Sequence, residues 1–128
     1  MNRIVISIQN SLLSEAITKM LWESNKFEIF EILQSKISET AEECKILRPD
    51  VLLMEVTYGS QTTLEKRLET VQAVRVDNPD CKVVLLCDEN SSPELAERVK
   101  TARYKGLIDT FFYASVSLSY LKDVLESL

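Results

Sequence analysis

Histidine is absent from this 128-residue chain, and its absence removes His-dependent triads, HExxH zinc chemistry and imidazole proton shuttles. Cysteine is scarce: Cys44, Cys81 and Cys87 are odd in number and show no CxxC spacing, so neither a disulfide framework nor a thiolate metal site is indicated. That usage fits a reduced compartment, and the protein is expected to be cytoplasmic. Two glycines and three prolines leave no room for low-complexity tracts or long flexible linkers. Basic residues are outnumbered, 15 Lys and Arg against 20 Asp and Glu, and the net charge of −5 repels phosphate backbones. Direct contact with nucleic acid by this domain is therefore not expected. No apolar run exceeds the length of a strand and no apolar leader follows Met1, so no membrane association is expected.

What is present is the composition of one ordinary globular domain spanning 1–128, with 45% hydrophobic and 27% charged residues. Runs rich in Val, Ile and Leu recur at Ile4 to Ile8, Phe27 to Leu33, Val51 to Val56, Val83 to Cys87 and Leu107 to Phe112. These read as five strands. The segments between them have helical spacing, and near-continuous apolar strands alternating with helices predict a parallel sheet covered on both faces. The fold class is therefore α/β, a doubly wound five-stranded parallel sheet of order 2-1-3-4-5 in a flavodoxin-like three-layer sandwich.

The first helix would begin after Asn10 and Ser11 and bury Leu12, Leu13, Ala16, Ile17, Met20 and Leu21. A second would start near Ser38. Thr62 with Glu65 makes a capping-box pattern ahead of Leu64, Leu68, Val71 and Val74, and Asn78-Pro79 supplies the stop. Ser92-Pro93 opens the fourth helix, whose core face is Leu95, Ala96, Val99 and Ala102, with Gly106 closing it in a left-handed cap. Ser117 caps a last helix with Leu118, Leu121, Leu125 and Leu128 at helical spacing.

Local sequence narrows the choice among such folds. Arg48-Pro49-Asp50-Val51-Leu52-Leu53-Met54-Glu55 resembles the RPDVVLLD segment that leads into the phosphorylated aspartate of response-regulator receiver (CheY-like) domains. Arg3 to Leu21, with Leu12, Glu15 and Ala16 at matching positions, is similar to the opening of receivers that carry a C-terminal helix-turn-helix of the LuxR/NarL type. Ala102 to Gly106 resembles the AxxxGA entry to the fifth strand.

The resemblance implies a phosphoacceptor pocket, and the departures fall on it. Glu55 stands in the place of the aspartate. The paired acids that hold Mg²⁺ align with Ile8 and Gln9, or in the alternative register Gln9 and Asn10, and neither pair supplies a carboxylate. The family's lysine aligns with Tyr113, the proline after it with Ala114, the switch hydroxyl with Cys87 and the switch aromatic with Thr110. Glu55 has two readings: a fixed mimic of the phosphorylated state, or a partly exposed carboxylate at a strand end. Glu55 with Asp88 and Glu89 forms either an acidic cluster or a set of solvated loop acids. Cys87 reads as a redox sensor or a small core residue, and Phe111 or Phe112 as core rather than a recognition patch.

The expectation is a pseudo-receiver, a protein-interaction or dimerisation module of signal transduction that works without phosphorylation, Mg²⁺ or any other cofactor and is not an enzyme. The resemblance further implies a place in a longer transcription regulator, with a partner protein or a second copy as the contact. Arg98, Lys100, Arg103 and Lys105 on the fourth helix, beside Tyr113 or Tyr120, form the candidate interaction surface. The alternatives are a phosphorylatable receiver with unusual residues and a small-ligand binder of flavodoxin-like fold. Against the latter, no GxGxxG or GxxxxGK[ST] loop follows any strand, and cobalamin would want a histidine.

Overall fold

The structure, a computed structural model, describes residues 2–59, 61–87 and 93–128. Five strands alternate with helices: β1 (Asn2–Ser7), α1 (Ser11–Ser24), β2 (Phe27–Glu31), α2 (Thr40–Leu47), β3 (Val51–Val56), α3 (Leu64–Asp77), β4 (Lys82–Cys87), α4 (Pro93–Tyr104), β5 (Thr110–Tyr113) and α5 (Leu118–Ser127). A 3₁₀ segment, Gln34–Glu39, precedes α2. All strand pairs are parallel, and the order is β2-β1-β3-β4-β5.

The period-2 geometry of the strands divides their side chains between two layers. Val5, Leu52, Met54, Val83 and Leu85 face Cys44 of α2, Val71 of α3 and Val99 of α4. Ile4, Ile6, Leu53, Val84 and Leu86 face Ile17 and Leu21 of α1 and Leu121 and Leu125 of α5. Burial on both sides explains why the central strands lack polar alternation.

The helix ends follow the capping signals in part. Asn10 caps α1 by accepting from Leu13 N at 3.1 Å, and Ser117 caps α5 by accepting from Tyr120 N at 3.2 Å. Gly106 lies in the left-handed region at φ 77° after α4. The core face Leu95, Ala96, Val99 and Ala102 is buried as expected. Pro93 is the first residue of α4, while Ser92 lies outside the described residues.

Several boundaries differ from the sequence reading. β1 stops at Ser7, whose pair with Met54 is the last of its ladder with β3, and β2 stops at Glu31, paired with Ile6. Ile8 and Ile32 are buried beyond the strands, so the apolar runs overshoot them, and Leu33 is exposed. β5 starts at Thr110 and not at Leu107, because Gly106 and Leu107 belong to the turn; Ile108 fills the core from there. Ser38 falls in the 3₁₀ segment, and α2 begins at Thr40.

The capping box is shifted by one residue: Thr62 is buried with its hydroxyl against that of Thr57, and Thr63 caps α3 by accepting from Lys66 N at 3.3 Å. Leu12 and Ala16 point to solvent, so the buried stripe of α1 is narrower than the apolar pattern. Leu118 and Leu128 are likewise exposed, which leaves Leu121 and Leu125 as the buried residues of α5.

Candidate functional site

The carboxyl ends of β1, β3 and β4 meet beside the start of α1, the place where open α/β sheets bind ligands. Glu55, next to last in β3, is half-buried there. Its Oε1 accepts from the main-chain N–H of Gln9 at 3.1 Å and of Asn10 at 3.3 Å. The carboxylate thus sits on amides at the entry to α1, where a helix amino terminus favours negative charge. A cavity of about 300 Å³ opens beside it, walled by Thr57, Tyr58, Leu86, Cys87 and Ala114.

Beneath this edge lies a buried charge. Arg67 of α3 is 1% exposed. Its Nε donates to Glu55 O at 2.8 Å, Nη1 to Ser7 Oγ at 3.0 Å and Nη2 to Ser7 O at 2.8 Å. Ser7 Oγ lies 2.7 Å from Thr40 Oγ1, and Thr40 in turn donates to Ile37 O at 2.7 Å. One hydroxyl carries one proton, so the direction is fixed: Arg67 donates to Ser7, Ser7 to Thr40, and Thr40 to Ile37 O. The chain of bonds ties β1, β3, α2 and α3 together.

Burial pulls the guanidinium pKa down from 12.5 to about 10, and the negative charge of Glu55 opposes that shift. A planar fork with several fixed donors is the group suited to three acceptors converging from two strands.

The site residues of the sequence reading are only partly brought together. Gln9, Glu55 and Cys87 meet at the strand ends, and Gln9 also accepts at Oε1 from Thr62 Oγ1 at 3.3 Å. Ile8 is 1% exposed in the α1–α5 core, not in the cavity. Thr110 and Tyr113 line a different cavity, between α4 and α5, together with Arg103 and Tyr120. Phe112 is buried and Phe111 packs partly against the core, as expected of the aromatic run.

The four cations of α4 do not form one surface. Arg98 pairs with Glu65 of α3, Lys105 lines the α3–α4 cleft, Lys100 pairs with Glu97 at 3.7 Å, and Arg103 alone faces β5 and α5. Asp88 and Glu89 lie outside the described residues, and no group of three metal-type ligands occurs among the described ones.

Arg67 was not singled out from sequence. Its signal is positional: Leu64, Arg67, Val71 and Val74 recur at the three-to-four spacing of an inward helix row, and all four are buried.

A CheY4 chemotaxis protein from Vibrio cholerae superposes with a TM-score of 0.74 over 99% of this chain and 98% of its own, at 16% identity. The chain has the CheY-like receiver fold. A CheY-like protein, tadZ, from Pseudomonas aeruginosa matches at TM-score 0.68 and 12% identity over 99% of this chain and 92% of its own. A LuxR-family two-component response regulator from Aurantimonas sp. matches at 0.68 and 11% identity over 99% and 84%. No protein-family model matches the sequence, and no curated protein sequence is similar to it. Within this receiver fold, no helix among the described residues is long and apolar enough to cross a membrane.

Proposed function

We propose that this domain is a pseudo-receiver, an interaction or dimerisation module of signal transduction that works without phosphoryl transfer and without Mg²⁺. The observation that carries the reading is the internal use of the groups at the strand ends. The Glu55 carboxylate accepts from the Gln9 and Asn10 amides, and the buried guanidinium of Arg67 is committed to Glu55 O, Ser7 Oγ and Ser7 O. A hard dication prefers several anionic oxygens, and Ile8 and Gln9 offer no carboxylate there. Tyr113, where a cationic clamp would be needed, turns to the α4–α5 groove.

The likeness to a LuxR-family regulator supports a further step: residues 1–128 form the regulatory part of a longer transcription regulator. A helix-turn-helix encoded after Leu128 would bear that out.

The test of the central reading is incubation of the folded chain with acetyl phosphate and Mg²⁺, followed by intact mass and acid-lability measurements. The expected result is no added phosphoryl group and no change in thermal midpoint with Mg²⁺. Stoichiometric acid-labile phosphate on Glu55 would overturn it in favour of a phosphorylatable receiver.

A further inference from the structure

β5 has one neighbour, β4, so its outer edge presents main-chain N–H and C=O groups that no strand pairs. The opposite edge strand, β2, carries exposed Glu28 and Glu31, with Arg3 paired to Glu28 at 3.5 Å, and charge on an edge discourages strand addition. β5 reads Thr-Phe-Phe-Tyr and has no charge, lysine or proline to blunt it. A cavity of about 500 Å³ runs along this edge between α4 and α5.

The two walls of that cavity differ. On the α4 side stands Arg103, the one charged residue lining it, exposed and in no ion pair among the described residues. On the α5 side are Val124 and Tyr120, whose ring meets that of Phe112 edge-on at 5.9 Å. A strand added to β5 would direct alternate side chains to these two walls. Carboxylates would meet Arg103 and aliphatic groups would meet Tyr120 and Val124.

We infer that the β5 edge takes a short extended segment of a partner protein in which acidic residues alternate with aliphatic ones, bound as a sixth strand. The inference rests on the interaction-module reading and specifies its partner. A second copy of this chain is a poorer occupant, because its own β5 reads Thr-Phe-Phe-Tyr and brings no carboxylate to Arg103.

The probe is an end-blocked Glu-Val-Glu-Val-Glu-Val peptide titrated into the isotope-labelled full chain and followed by amide NMR and hydrogen exchange. The expected result is saturable shifts confined to Arg103, residues 110–113, Tyr120 and Val124, with slowed exchange of β5 amides. Arg103→Glu, an exposed change whose fold the same spectra report, should weaken binding about tenfold and favour a Lys-Val-Lys-Val-Lys-Val peptide instead. A peptide N-methylated at alternate residues should not bind.

No binding at millimolar peptide, equal binding of the N-methylated or lysine peptide, or the same shifts from protein concentration alone would each overturn the inference. If the peptide fails while acetyl phosphate still leaves Glu55 unmodified, the pseudo-receiver reading stands and only the strand-like occupant falls.

Discussion

Substitutions at Arg67 separate the geometry of the buried fork from the mere presence of charge. The depression of its pKa from 12.5 to about 10 implies that burying the guanidinium costs about 3 kcal/mol, at about 1.4 kcal/mol per unit. Three charge-assisted hydrogen bonds to neutral acceptors, each contributing about 1.5–2 kcal/mol, more than offset that cost. Arg67→Met removes the bonds and the desolvation cost together, leaving Ser7 O and Glu55 O without that donor, so the net loss should be about 1–3 kcal/mol.

Arg67→Lys keeps a buried charge but replaces the fork with a single ammonium that cannot reach three acceptors in the same geometry. It should lose more, about 3–5 kcal/mol. Urea unfolding of the wild type and both variants, with m-values checked for two-state behaviour, measures the order directly. A lysine variant as stable as wild type, or a methionine variant less stable than the lysine one, would refute the reasoning.

Glu55→Ala should free the Gln9 and Asn10 amides for faster hydrogen exchange and lower stability by about 1 kcal/mol, with exchange unchanged as the contrary result. Gly106→Ala should cost about 1–2 kcal/mol in thermal or urea unfolding, since φ is 77° and no atom lies within 4 Å of an added Cβ; a neutral result would mean that the turn relaxes.

The layers of the fold were legible because the central strands are buried on both faces and read as unbroken apolar runs. β3, Val51 to Val56, matches residue for residue. Edges were less legible: Ile8, Ile32 and Ile108 pack into the core from outside the ladder, and an apolar run does not say where its hydrogen-bonding partner ends. Gln9, Glu55 and Cys87 were placed together through the resemblance, since each lies at or just beyond the end of its strand. Arg67 was hidden by its own chemistry. Arginine is usually solvated, and only the acceptors Ser7 O, Ser7 Oγ and Glu55 O, distant in sequence, make its burial tolerable. The same limit applied to α4, where four cations in sequence gave no sign that Arg98 and Lys105 turn to α3 while Arg103 turns to β5.

Alkaline stability offers a separate test of the α2–α4 layer. Desolvation pushes the Cys44 and Cys81 thiols up from 9.0 to about 12; Cys81 and Glu43 raise Cys44 further, while at Cys81 the pull of Arg75 opposes Asp109 and Asp50. Between those values the folded state holds protons that the unfolded state has released, so stability is full below pH 9 and falls as the pH rises toward 12. Two thiols should remove about 3 kcal/mol between about pH 8 and about pH 10. Arg67 acts in the opposite sense, because its folded value lies below its unfolded one, but only above about pH 10. The Cys44→Ala/Cys81→Ala double variant should start less stable, by about 1 kcal/mol per site, and should lose about 3 kcal/mol less than wild type over the same interval. Urea midpoints that fall equally with pH in the two proteins would show that these thiols do not ionise on unfolding, and the buried placement of Cys44 and Cys81 would have to be abandoned.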